Sequence, residues 1–345
     1  MDKDTLLGKT LTDIQLIVKE LDMPAFSAKQ ITDWLYKKKV NTIDEMSNLS
    51  VKQRALLNEK YVTGAVKPSD AHYSNDGTIK YLFNVGEKGA IESVYIPDEE
   101  RHTLCVSTQV GCKMGCVFCM TGQQGFKGNL SACEIINQMQ SINEASLLTN
   151  VVFMGMGEPM DNIDEVLKVL EIMTAPYGYA WSPKRITVST IGLLPGLKRL
   201  LAESDCHVAI SLHNAKSVER LALMPVEKAY PLVQVLDEIR KYDFSHQRRV
   251  SFEYILFKGV NDTPQHVRVL KLLLKGMLCR VNLIRYHAIP GVELESSDEL
   301  TMINFRDALT GGGIISTIRS SRGEDIFAAC GMLSTAKLKP KIEEQ

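Results

Sequence analysis

The sequence predicts an α/β protein: a parallel sheet with covering helices, preceded by a helical segment and a β-hairpin. Three observations carry this. Apolar residues recur at helical spacing through the first sixty positions. Two β-rich runs flank a turn bounded by Gly86 and Gly89. Beyond Thr103, short apolar runs alternate with helical stretches, the pattern of successive β/α units. A chain of 345 residues accommodates one large domain and a smaller one.

The elements follow in order. Leu11, Ile14, Ile17, Val18 and Leu21 share one helical face and predict a helix over residues 10–21. A second is expected over 27–37, with Ser27 as N-cap and Ile31, Trp34 and Leu35 on one side; a third spans 51–61. Lys37, Lys38 and Lys39 follow Trp34 and Tyr36, a basic and aromatic cluster that either touches RNA or is a solvated helix end. The second reading is preferred. Runs 79–85 and 90–96 form the hairpin. Six strands are expected over 103–108, 150–154, 184–190, 207–212, 251–257 and 280–285, and a further one over 315–318. Helical stretches 134–145, 163–173, 193–201 and 232–242 lie between most of them. The expected organisation is a helical accessory region over 1–70 and a hairpin extension over 71–97. A core over 98–325 and a C-terminal segment over 326–345 follow, the latter loose beyond Thr335.

Composition narrows the class. With 45% hydrophobic and 23% charged residues, a normal core forms without disulfides. The net charge of −1 gives no sign of nucleic-acid binding, so any basic surface must be local. The N-terminus carries charges throughout and lacks a signal-peptide apolar stretch, and no run is long enough to span a membrane. A cytoplasmic protein without a membrane partner is expected, and its eight cysteines are read as ligands, catalysts or core residues.

The strongest chemical signal is Cys112-Lys-Met-Gly-Cys116-Val-Phe-Cys119, which lies just after the first core strand. Thiolates hold iron–sulfur clusters, normally four per cluster. Three ligands on a four-iron, four-sulfur (4Fe–4S) cluster leave one iron open to the amino and carboxylate groups of S-adenosylmethionine (SAM). A zinc site completed by His102 or Cys105 is the rival, but no second C-x2-C pair exists in the chain. One β/α unit later comes Gly155-Met156-Gly157-Glu158-Pro159, whose glycines permit close backbone approach and whose carboxylate suits an ammonium group. Ser189, Ser211, His213 and His287 stand at the ends of later strands, where parallel β/α folds gather their sites.

The combination resembles the radical SAM superfamily, whose core is a partial (β/α)6 barrel. Further motifs narrow the resemblance to the RlmN/Cfr RNA methyltransferases: Cys105-Val-Ser-Thr-Gln-Val-Gly-Cys112, Phe118-Cys119-Met-Thr-Gly, Gly155-Met-Gly-Glu-Pro, Ser211-Leu-His, Gly259-Val-Asn-Asp and Ala328-Ala-Cys330-Gly. The match runs from about residue 90 to residue 333, and the helical N-terminus fits the family's accessory domain. The resemblance implies methylation of an adenosine in 23S rRNA, and of the adenosine following the anticodon in some tRNAs. Phe126 and Pro159 resemble RlmN usage, which implies C2 rather than C8.

By the same resemblance Cys330 carries a methyl group, Cys105 resolves the covalent protein–RNA adduct through a transient disulfide, and Glu92 accepts a proton. The cluster ligands are Cys112, Cys116 and Cys119. Gly157, Glu158, Ser189, Ser211, Leu212, His213 and His287 bind SAM. His287 departs from the pattern: the family usually has Asn in a Trp-Asn-Pro context, and here the run is Tyr286-His287-Ala288. One 4Fe–4S cluster per chain, two SAM molecules per turnover, a flavodoxin or ferredoxin as electron donor and a monomeric state are implied. RNA contact is expected from the N-terminal helices and from Arg248 and Arg249. The alternatives are a Cfr-like enzyme acting at C8, and a non-catalytic RNA-binding protein holding zinc.

Overall fold

A computed structural model describes residues 3–244 and 250–335. Arg248, Arg249 and the tail beyond Thr335 lie outside them.

The N-terminal segment is helical, as its periodicity requires. Helix α1 (Leu11–Glu20) starts at a capping box: Thr10 Oγ1 accepts from Asp13 N at 3.2 Å, and Asp13 accepts from Thr10 N at 2.9 Å. Its buried face is Ile14, Ile17 and Val18. Helix α2 (Ser27–Asp33) departs from expectation, because Phe26 occupies the N-cap. Ser27 is buried instead and accepts from Gln53 Nε2 at 3.3 Å, so an interhelical partner displaces the capping role. A π turn, Trp34–Lys38, continues α2, and α3 (Val51–Lys60) completes the segment.

The lysine cluster is occupied within the protein. Tyr36 is buried and donates to Lys9 O at 2.6 Å. Lys38 Nζ lies 3.5 Å from the Trp34 ring centre, and Lys37 pairs with Asp33 at 3.1 Å. Strands β1 (Asp4–Thr5) and β2 (Tyr61–Val62) pair in parallel and close the segment on itself. Asn137 ties it to the core, accepting from Val66 N at 2.9 Å and donating to Val66 O at 2.7 Å.

Ten of the remaining described strands build one sheet. Strands β3 (Asp70–Tyr73), β4 (Ile79–Asn84) and β5 (Ala90–Asp98) are antiparallel, and β6 (Arg101–Cys105) pairs antiparallel with β5. The expected hairpin is thus a three-stranded extension that runs into the main sheet. A small antiparallel pair, β7 (Gln109–Val110) with β8 (Gly128–Asn129), clasps the base of the loop between them. Then β9 (Asn150–Phe153), β10 (Ile186–Thr190), β11 (His207–Ser211), β12 (Val250–Leu256), β13 (Cys279–Arg285) and β14 (Ile315–Ile318) add in parallel, each beside its predecessor, starting from β6.

Helices α4 (Met120–Gln124), α5 (Ala132–Gln140), α6 (Ile163–Thr174), α7 (Leu194–Glu203), α8 (Ser217–Leu223), α9 (Leu232–Ile239), α10 (Pro264–Leu273) and α11 (Glu299–Thr310) occupy the connections. Every residue of β9 and β12 is buried, as expected for parallel strands covered on both faces. The sheet ends at β14 and β3 without closing. Among the described residues no helix is long and apolar enough to cross a membrane.

Candidate active site

The cysteine loop leaves β7 through Gly111, whose φ of +71° and close approach to Gly125 O admit only glycine. Cys112, Cys116 and Cys119 line one cavity of about 830 Å³. The backbone holds the loop: Cys119 N donates to Cys116 O at 3.2 Å, and Val117 N donates to Leu223 O at 3.0 Å. The Phe118 ring stands edge-on to His213, centroids 4.9 Å apart. Burial raises all three thiols, Cys112 to about 12, so their thiolates require a cation to balance them. Among the described residues no three ligand-type side chains converge closely enough for a single metal ion. Iron–sulfur clusters take cysteine thiolates as ligands, and Cys112, Cys116 and Cys119 would hold one in this cavity.

The ends of β9 to β13 supply the other walls. Gly157, at φ +100°, would place a Cβ 2.5 Å from Gln109 Cβ, so only glycine lets this turn reach the cavity. Glu158 is buried and accepts from Thr190 Oγ1 at 2.5 Å, Ile191 N at 2.9 Å and Met160 N at 3.1 Å. Burial nevertheless pushes its carboxyl up to about 7, the hydrogen bonds offsetting only part of the cost. An incoming ammonium would stabilise the charged form. Ser189, Ser211 and His213 line the same cavity. Burial holds the His213 imidazole neutral, its pKa lowered to about 3, and Nδ1 accepts from Ile255 N at 3.0 Å. Leu212 keeps its side chain in the core, and its backbone N donates to Glu253 O at 3.0 Å.

A second cavity, about 1240 Å³, adjoins the first; Met154, Ile284, Arg319 and Cys330 belong to both. Cys105 and His287 face this outer cavity only. His287 Nδ1 lies 3.2 Å from Glu324, and the residue lines a different cavity from Ser189, Ser211 and Glu158. Cys330 is solvent-accessible, on a segment pinned at both ends. Ser74 Oγ donates to Asp325 at 2.6 Å and Gly323 N to Asp76 at 2.9 Å, while Thr121 Oγ1 donates to Leu333 O at 2.7 Å. Glu92 is buried rather than solvent-facing. It pairs with Lys80 at 3.1 Å and accepts from Ser334 N at 2.9 Å. Burial and the adjacent Cys330 push the Cys105 thiol up to about 12, and Arg319 opposes them.

The chain matches the family model of the radical SAM superfamily over residues 106–270, and that of the ribosomal RNA large subunit methyltransferase N-terminal domain over residues 5–62. A protein of Parabacteroides distasonis named probable dual-specificity RNA methyltransferase RlmN is 62% identical over 337 residues, 98% of each chain. The chain belongs to the RlmN family. A Syntrophobacter fumaroxidans protein named dual-specificity RNA methyltransferase RlmN is 41% identical, over 94% of this chain and 96% of its own length. A crystal structure of a radical SAM methyltransferase from Sphaerobacter thermophilus superposes with a TM-score of 0.89 at 36% identity, covering 96% of this chain and 99% of its own.

Within this RlmN-family site, sequence reasoning had passed over Glu253 and Arg319. Glu253 is buried at the floor, accepting from Asn282 Nδ2 at 2.8 Å and Ser251 Oγ at 3.2 Å. Arg319 Nε stands 3.6 Å from its other oxygen, in the wall between the cavities. The signal was present: an acidic residue inside the apolar run of β12, and an arginine directly after β14.

Proposed function

We propose that the chain methylates C2 of an adenosine in 23S rRNA and of the adenosine following the anticodon in some tRNAs, using Cys330 as the methyl carrier. One observation carries this reading. Cys105 and Cys330 face one cavity, and Cys330 also faces the cavity lined by the three loop cysteines and Glu158. A thiol so placed has access to a methyl donor on one side and a nucleobase on the other. When bound, the 4Fe–4S cluster held by Cys112, Cys116 and Cys119 supplies the electron that cleaves SAM and starts the radical chemistry.

The chain's residues handle the rest. Glu158 binds the SAM amino group, and Gly157, Ser189, Ser211 and the backbone about Leu212 and His213 orient the molecule. His287 faces the outer cavity, and any contact it makes with SAM comes from that side. The Cys330 sulfur takes a methyl group from one SAM. That carbon would lose a hydrogen atom to the 5′-deoxyadenosyl radical from a second SAM and add to adenine C2, joining protein and RNA. The electron left on the adduct would return to the cluster. Glu92 takes the C2 proton. The Cys105 thiolate attacks the Cys330 sulfur, and the bond from sulfur to the transferred carbon breaks. That carbon keeps the electron pair and takes a proton from solvent to become the methyl group on C2, and a disulfide remains for reduction. The helices of the N-terminal accessory segment contribute to RNA contact. A flavodoxin or ferredoxin reduces the cluster, and the chain works as a cytoplasmic monomer.

The test is to express Cys105→Ala and Cys330→Ala variants in cells and digest the purified proteins with nuclease and protease. Cys105→Ala should carry adenosine on the Cys330 peptide, and Cys330→Ala should carry none. A freely turning over Cys105→Ala variant without adduct would refute the two-cysteine reading. Mass analysis of the methylated nucleoside decides between C2 and C8.

A further inference from the structure

Arg220 on α8 has no exposed surface. Its Nε donates to Leu212 O at 3.0 Å, and one terminal nitrogen donates to Ser211 O at 3.0 Å and to Ile191 O at 3.2 Å. The other terminal nitrogen pairs with buried Glu227. Glu227 in turn accepts from Ser217 Oγ at 2.7 Å and Leu232 N at 3.0 Å, anchoring the pair to the first residues of α8 and α9. Ile191 is therefore held from two sides. Its N–H goes to Glu158 and its carbonyl to Arg220. The opposite end of α8 reaches the cysteine loop, where Leu223 O accepts from Val117 N, between Cys116 and Cys119.

A buried ion pair is weak support for stability by itself, since apolar residues of similar volume often replace one without loss. What apolar residues lack is the planar fork of donors that reaches three carbonyls at the ends of two strands. We infer that Arg220 is a positioning residue, fixing the cluster-binding loop at one distance from the SAM-binding strand ends. This rests on the site assignment above. The short helix between Val117 and Ile191 becomes a rigid spacer.

The experiment uses the full chain, reconstituted anaerobically with iron and sulfide, as wild type, Arg220→Lys, and Arg220→Met combined with Glu227→Leu. Melting temperature, iron content, SAM affinity by equilibrium dialysis and the electron paramagnetic resonance spectrum of the reduced cluster with and without SAM are recorded. The double variant should melt near wild type and hold its iron. It should bind SAM at least about tenfold more weakly, with a diminished spectral response to SAM. Arg220→Lys keeps the charge without the fork and should fall between the two. A folded double variant with wild-type affinity and spectral response overturns the proposal. If that variant does not fold, wild-type affinity in Arg220→Lys overturns it. A wild-type chain whose cluster spectrum ignores SAM overturns the site assignment beneath it, which separates the two failures.

Discussion

Replacing Glu158 with Gln should weaken SAM binding and stabilise the cluster-free chain, with the second effect growing as pH rises. Glu158 is an acid raised by burial from an ordinary 4.5 to about 7 in the fold. The folded state therefore prefers the protonated form. Between those values the unfolded chain has released the proton and the folded chain has not, so stability is complete below 4.5 and declines towards 7. From pH 5 to pH 8 the loss amounts to about 2.5 kcal/mol. Glutamine carries no charge and escapes it. The amide also turns an N–H group towards donors such as Ile191 N or Thr190 Oγ1, at a cost that does not vary with pH and cancels from the comparison. Urea unfolding of both proteins at pH 5 and pH 8 reads the difference directly. The variant should gain about 2–3 kcal/mol on the wild type between the two pH values. On the reconstituted protein, loss of a charge-assisted bond worth about 1.5–3 kcal/mol should lower SAM affinity by at least tenfold. A stability difference independent of pH would refute the account of this buried carboxylate. Unchanged affinity would remove Glu158 from the SAM site.

Replacing Cys112, Cys116 and Cys119 together with Ala should give a colourless protein without bound iron and without 5′-deoxyadenosine production; iron analysis and chromatography of the SAM products check this. Gly157→Ala forces a Cβ against Gln109 at a positive φ and should cost about 1–3 kcal/mol in urea unfolding, with weaker SAM binding and an intact cluster. Glu92→Gln keeps the bond from Ser334 N but loses the proton acceptor and the charge facing Lys80. It should trap the RNA adduct on Cys330 even though Cys105 is present. Mass analysis of the Cys330 peptide reads it.

Strands of a covered parallel sheet read as apolar runs, so β9 to β14 were legible almost to the residue, and three cysteines within eight residues announce their chemistry locally. The edge strand β3 (Asp-Ala-His-Tyr) was not, because its mostly exposed residues carry no apolar pattern. Ser27 looked like a cap because the rule is local, whereas its partner Gln53 lies on another helix. Cys105, Cys330 and Glu92 would have passed as core or surface residues without the family motifs, since the fold brings them together from distant parts of the chain. Arg220, Glu253 and Arg319 escaped for the same reason. An isolated charge on a helix or strand announces nothing until its buried partners are known.

The segment bearing Cys330 is fastened by contacts of very long sequence separation: Ser74 to Asp325 spans 251 residues, and Glu92 to Ser334 spans 242. Closing such loops forfeits chain entropy before any contact repays it, so these fastenings form late in folding. The hydrogen bonds of Cys112–Cys119 reach no further along the chain than Leu223, whereas the residues just after them meet the strap, Met120 N donating to Gly331 O at 2.8 Å. Folding thus leaves an interval in which the cluster ligands are arranged and the C-terminal strap is still open. Iron and sulfide can be delivered in that interval, and closure of the strap then sets Cys330 over a finished site. A chain truncated before Ser320 should accept a cluster, and hydrogen exchange during refolding should show Val117 protected before Ser334.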